Sequence, residues 1–337
     1  MRLCRLLLFC LAIVLLTPSR SSNPVDRKQE ILSIINIDEN NWQSFIYDGQ
    51  VFEQRVDTLR KVRFWNMVMN TSEKMLILNH ASSRRIFHVL PYEDWNQLSE
   101  EEQMDYRDFL RNEFCLDSTD RIFATRGKAE FYQFRTVMPS IDRGIGVFME
   151  NKVDPWYAQA ILLIESPGHM RRSPDGAVGS FQLMSKVARK FGLRVDSQVD
   201  ERKDFDRSAY GASQLIKTIC LPYTRQMLEE RGTAYSENDL FFRLLVLHVY
   251  HAGAYNVKNA LASVDSSLRG MDIIRQLWET ESKGFRNASQ NYSQVALASL
   301  LQLDELIHER CVIYHVTELP FTPSHFRLEG EVASKEN

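Results

Sequence analysis

The stretch Asp154-Pro155-Trp156-Tyr157-Ala158-Gln159-Ala160-Ile161-Leu162-Leu163-Ile164-Glu165 constrains this chain more than any other. An aspartate followed by proline is an N-cap and first-turn pair. The ten residues after it are nearly all apolar, and Ser166-Pro167-Gly168 ends the run. The reading is a helix whose last residue, Glu165, stands against an apolar wall. A carboxylate is disfavoured there twice, by the negative end of the helix dipole and by loss of solvent, and both effects raise its pKa. A carboxyl group that stays protonated near neutral pH is what a general acid requires. Taken alone, the position suits a solvated last-turn glutamate better.

The rest of the pattern places this helix in a globular, mainly α chain. Of 337 residues, 44% are hydrophobic and 25% charged, with 14 Gly and 10 Pro, which excludes collagenous and disordered classes. That length suggests about two domains. The net charge of -3 and the absence of a basic block argue against nucleic acid as a partner. From Ser140 onward the period is helical, with Ile141, Ile145, Phe148 and Met149 on one face. Before that, residues 23–137 read as an α-rich or α+β accessory region with no chemical motif. Within it, Ser99 and Glu102 make a capping box for a helix carrying Tyr106, Phe109, Leu110 and Phe114 as a core stripe. The patch Phe123, Phe131, Tyr132 and Phe134 fits strand or helix equally and reads as scaffold.

At the start, two arginines in Met1–Arg5 precede the apolar run Leu6–Leu16, and Thr17-Pro18-Ser19 breaks it. This is the layout of a secretory signal over residues 1–22, and eleven apolar residues fall short of the roughly 20 that span a bilayer. The expectation is an exported protein. Removal of the signal leaves Cys115, Cys220 and Cys311, whose wide spacing suits buried structural thiols better than a disulfide framework or zinc site. His248 and His251, spaced by three, lack nearby acidic ligands, so no metal and no cofactor is expected. Sequons begin at Asn70, Asn287 and Asn291, a tripeptide that also arises by chance.

A resemblance emerges after Glu165. Gly176-Ala177-Val178-Gly179-Ser180-Phe181-Gln182 is a glycine-punctuated loop or tight hairpin. Glu165-Ser166, this loop, and Tyr250-His251-Ala252-Gly253 occur in the order of the three motifs of the lytic transglycosylase domain, which is related to goose-type lysozyme. Phe191-Gly192-Leu193, Val199–Asp204 and Ser208–Ala212 resemble the membrane-bound murein transglycosylase D branch in particular, and Asn291-Tyr292 is similar to the element that closes the family domain. The likeness covers about residues 140 to 305. It implies a lysozyme-like catalytic domain over 138–310 and a C-terminal tail over 311–337.

The resemblance also implies chemistry. Glu165 would be the single catalytic carboxyl, cleaving the bond between N-acetylmuramic acid and N-acetylglucosamine in peptidoglycan. It would act first as acid and then as base, while the sugar's own 6-hydroxyl attacks to leave a 1,6-anhydro end. Ser166, Gln182, Phe181, Tyr250, Tyr292 and His251 would contact substrate, with core packing equally open for Phe181 and a helix-ending cap equally open for Ser166. Asp200, Glu201 and Asp204 read instead as solvated or structural helix-start residues. His251 departs from the asparagine usual in the family, and an imidazole titrating near pH 6.5 would make activity weaker or more pH dependent. Glycan strands are the implied partner, in the periplasm or cell envelope of a bacterium, with peripheral membrane or wall attachment left open. A binding or scaffolding protein that keeps the groove without turnover stays open as an alternative, as does a hydrolytic muramidase.

Overall fold

The computed structural model describes residues 29–36, 41–165 and 172–318. The signal-like residues 1–22 and Ser166 therefore lie outside the described residues, as does the end of the tail from 319. The fold is mainly helical with two small sheets. No helix among the described residues is long and apolar enough to cross a membrane.

The chain opens with strands β1 (Gln29–Asn36) and β2 (Asn41–Asp48), which pair antiparallel with Leu32 opposite Phe45. A short turn α1 (Gln50–Glu53) leads to α2 (Arg60–Asn70), which buries Val62, Phe64, Trp65, Val68 and Met69. Next comes a small α+β unit. Strands β3 (Met75–His80) and β4 (Ile86–Pro91) form a hairpin, helices α3 (Tyr92–Gln97) and α4 (Glu100–Glu113) come after it, and β5 (Ile122–Arg126) pairs with the other edge of β3. This unit has its own core of Leu76, Leu78, Trp95, Leu110 and Ile122. The capping box forms as the sequence indicates, with Ser99 accepting from the Glu102 amide and Glu102 accepting from the Ser99 amide. Phe109 corrects the expected core stripe. It is 54% exposed, because one helix face against a three-stranded sheet has room for Leu110 and not for the residue beside it.

The remaining helices build the main body. They are α5 (Phe134–Glu150), α6 (Trp156–Glu165), α7 (Ser185–Lys190), α8 (Phe205–Leu215), α9 (Leu221–Glu230), α10 (Leu240–Ala252), α11 (Ala254–Leu261), α12 (Met271–Leu277) and α13 (Asn287–Arg310). The first of them starts before the expected Ser140 and carries Pro139 inside it. Buried on every side from Trp156 to Ile164, α6 is the axis of the body, packed by α5, α10 and α13. Such a helix lies buried because an apolar surface all round has no face to give to water.

The main core does not break near residue 137. Ile31, Leu32, Phe45, Val62 and Phe64 share it with Phe148, Trp156, Leu245 and Leu297. The unit with a separate core is the Met75–Arg126 insertion between α2 and α5. Polar contacts stitch the early strands to the body. The Gln159 side chain accepts from the Ile46 amide at 2.9 Å and donates to the Ile46 carbonyl at 2.8 Å, so it pairs with β2 as a strand neighbour would. Arg243, buried in α10, reaches Asp154 at 2.9 Å and Asp48 at 3.3 Å. Strand β6 (Cys311–Glu318), expected as tail, pairs antiparallel with β1 and completes the first sheet. Cys220 is a buried thiol as expected, whereas Cys115 is exposed in a turn, at φ 51° just past the end of α4.

Candidate active site

Asp154 caps α6 by accepting from the Trp156 amide at 2.9 Å, which sets the start of the helix and so the direction in which Glu165 leaves it. Glu165 is partly exposed, yet the protein around it removes enough water to push its pKa up to about 7. Tyr292, from the second turn of α13, opposes that shift by donating its hydroxyl to Glu165 Oε1 at 2.8 Å. Burial and this hydrogen bond are the influences that set the Glu165 carboxyl, and no neighbouring carboxylate among the described residues figures with them.

The glycine segment is a tight hairpin. Val178 and Leu183 exchange backbone hydrogen bonds, and Gly179 at φ 87° turns the chain so closely over the Arg202 carbonyl that a β-carbon would not fit. Buried Arg202 explains the Val199–Asp204 segment. It donates from Nη1 to the carbonyls of Gly176 and Leu183 while Asp200 holds its other side at 2.8 Å. Asp200 and Asp204 each accept a backbone N–H as helix caps, a structural role. Tyr250, near the end of α10, donates to the Phe181 carbonyl at 2.6 Å and ties the hairpin to the wall of the site. The charge of Glu165 reaches the Tyr250 hydroxyl, holding its pKa high together with burial, the larger cause.

Phe181 is corrected by its burial. Its ring is fully enclosed, stacked on Phe148 at 5.6 Å and tilted against Phe205 at 5.7 Å, so it offers no face to a sugar. Gln182, in the hairpin, has φ 45°, a left-handed backbone that is strained in a residue with a side chain, and its Nε2 donates to the Gly179 carbonyl at 2.9 Å. The amide thus locks its own turn. His251 stacks on Tyr292 with ring centroids 4.3 Å apart and planes 21° from parallel. One flank of the imidazole is open to solvent, but burial of the rest holds its pKa below the ordinary value, with Asp175 pulling the other way. His251 therefore stays neutral to lower pH than an unperturbed histidine. The expected charge change near pH 6.5 moves toward acid. His248 turns inward instead. Ser293 Oγ accepts from Trp278 Nε1 at 2.7 Å and is hydrogen-bonded to His248 Nε2 at 2.8 Å, and burial keeps this imidazole neutral, its pKa driven down to about 3.

Tyr132, whose sequence context reads as scaffold, lies within electrostatic reach of Glu165. It is buried just ahead of α5, near enough to Glu165 for the carboxylate to add to the burial that raises its pKa. It carries no sequence signal, because it comes near Glu165 only through folding.

Residues 149–270 match the family model described as the transglycosylase SLT domain. This region is lysozyme-like and carries the helix of Glu165, the glycine hairpin and Tyr250. The SLT match indicates lytic-transglycosylase-type activity related to peptidoglycan. Tyr132 and Tyr292 lie beyond its limits, so the elements flanking the SLT region complete the site. No curated protein and no solved structure gives a significant match.

Proposed function

We propose that the protein is an exported lytic transglycosylase that cleaves the N-acetylmuramic acid to N-acetylglucosamine bond, with Glu165 as its acid and base. The observation that carries this reading is a single carboxyl with its pKa near 7, held by Tyr292 at the end of a buried helix. At that pKa Glu165 is divided between both protonation states at neutral pH, the condition under which one group can deliver a proton and then retrieve one. Glu165 protonates the leaving glycosidic oxygen as the C1–O bond breaks. The carboxylate then takes the proton of the 6-hydroxyl as that oxygen bonds to C1, closing the anhydro ring and restoring the acid. A second carboxylate, which ordinary glycosidases use, is not needed in this sequence of steps. Tyr292 steadies the carboxylate between the two steps. Gln182, Tyr250, His251 and Ser166 are proposed to contact the glycan around it, and export to the cell envelope rests on residues 1–22.

Incubating cell-wall sacculi with the mature protein and weighing the released muropeptides tests this reading. Products about 18 Da lighter than hydrolytic ones are expected, since ring closure by the 6-hydroxyl takes up none of the water that hydrolysis adds. Glu165→Gln should release none while still binding sacculi. Hydrolytic masses would make the protein a muramidase. Binding without products from the wild type would make it a glycan-holding protein.

A further inference from the structure

Arg84 sits in the β3–β4 turn at φ 57°, a left-handed conformation that a long side chain adopts only under constraint. Its guanidinium is carried inward to near-complete burial, 4% exposed. Among the described residues the fork is used on amide oxygens and on no carboxylate. Nη1 donates to Asn79 Oδ1 at 3.1 Å, and Nη2 donates to Asn287 Oδ1 at 2.8 Å and Asn291 Oδ1 at 3.1 Å. The rings of Phe64, Trp65 and Phe123 lie 5.1, 5.9 and 5.4 Å from its central carbon. A buried cation held only by neutral groups is costly to keep, and burial lowers its pKa to about 10. Its charge is felt at Lys61, which is itself paired to Glu279 at 2.6 Å.

What Arg84 grips is the start of α13. Asn287, Asn291 and Gln294 fall at helical spacing along one face, and Trp65 Nε1 adds a hydrogen bond to Gln294 Oε1 at 3.3 Å. Tyr292 is the neighbour of Asn291, turned about a quarter of the helix round toward Glu165. We infer that Arg84 is a positioning residue, through which the inserted Met75–Arg126 unit fixes the first turns of α13 and so holds the Tyr292 hydroxyl on Glu165. The insertion is then part of the active-site machinery, although none of its atoms is placed at the reacting carboxyl. This role rests on the proposed chemistry of Glu165 for its consequence in turnover, and on hydrogen-bond geometry alone for its consequence at the carboxyl.

The test reads both quantities. Glutamate-labelled protein is titrated by carbon NMR to follow the Glu165 carboxyl, alongside turnover of sacculi, in the wild type, Tyr292→Phe, Arg84→Met and Arg84→Lys. Losing the tyrosine hydrogen bond favours the neutral acid, so Tyr292→Phe should move the Glu165 midpoint upward from about 7. Arg84→Met should move it in the same direction, and the double variant no further than Tyr292→Phe alone. Turnover should fall about tenfold in Arg84→Met, mainly in kcat. A lysine offers a point charge where a planar fork is needed, so Arg84→Lys should recover only part of the shift. If Arg84→Met fails to fold, Arg84→Lys and Asn291→Ala read the same midpoint. Folded Arg84 variants with an unmoved midpoint, beside a shifted Tyr292→Phe, would overturn the inference. Shifted midpoints with a wild type that releases no product would instead overturn the proposed function and leave the positioning role standing.

Discussion

The Tyr292 hydroxyl donates to Glu165 at 2.8 Å across 127 residues of sequence, and it is outweighed by burial. The carboxyl rises from an ordinary 4.5 to about 7, so the folded protein holds a proton that the unfolded chain releases between those two values. Below about pH 4.5 both states are protonated and Glu165 is neutral in its effect. Stability contributed at this site then falls as pH rises to about 7, and stays low above it. Glu165→Gln keeps an acceptor for Tyr292 and removes the ionisation. Denaturant melts should find it indistinguishable from wild type near pH 4 and more stable by about 1–3 kcal/mol at pH 7.5. Equal stability at both pH values would show that Glu165 is not desolvated.

His251 illustrates what a residue type alone leaves open. Its sequence position suggests a charge that appears near pH 6.5, while the fold stacks it on Tyr292 and moves that charge toward lower pH. Its value lies in the stack. His251→Ala should cost about 0.5–1.5 kcal/mol of that contact, a few-fold loss in turnover, with the pH–rate profile above about 6.5 unchanged in shape. An ionisation near 6.5 that vanishes in His251→Ala would restore the pH-switch reading.

Much of the site is legible where its information is local. The cap at Asp154, the apolar run to Glu165 and the glycine turn each depend on residues a few positions apart, and each forms as read. The segment Phe123 to Phe134 is ambiguous in sequence because aromatic residues suit both periods, and it divides into β5, a turn with Tyr132, and the start of α5. The pairing of Arg84 with Asn291, 207 residues apart, has no local signal, although Asn291 itself stands in a segment that the sequence singles out. Phe181 sits inside the right motif and yet does not line the site, because whether an aromatic faces a ligand or a core is decided by Phe148 and Phe205, which pack from other helices.

Two glycines of the hairpin separate backbone strain from crowding. Gly176 and Gly179 have φ of 90° and 87°, but a β-carbon at Gly176 meets nothing within 4 Å, while one at Gly179 would fall 1.8 Å from the Arg202 carbonyl oxygen. Gly176→Ala should therefore cost only the conformational strain, about 1–2 kcal/mol. Gly179→Ala must also displace Arg202, which bonds the carbonyls of Gly176 and Leu183. Thermal melts should show the larger loss in Gly179→Ala, with turnover falling further than in Gly176→Ala. Equal effects would mean that the hairpin yields without disturbing the site.

Arg243 joins the early strands to the helix of the acid, and its removal tests that union. Its guanidinium is fully buried with Asp48, itself 2% exposed by side chain, and with Asp154. Desolvation pushes the Asp48 carboxyl up, and the Arg243 charge pulls it back. Arg243→Met leaves both carboxylates without their cation, a change that typically costs about 3–5 kcal/mol. Without the arginine, the Asp48 pKa rises further above its unfolded value, so the penalty should be small in acid and grow as pH rises through the carboxylate range. Because Asp154 also caps α6, the defect passes along the helix to Glu165. Denaturant unfolding of Arg243→Met at pH 4 and pH 7 should show the larger deficit at pH 7. A deficit independent of pH would assign Arg243 a packing role against Trp156, whose ring lies 5.7 Å from the guanidinium carbon, in place of an electrostatic one.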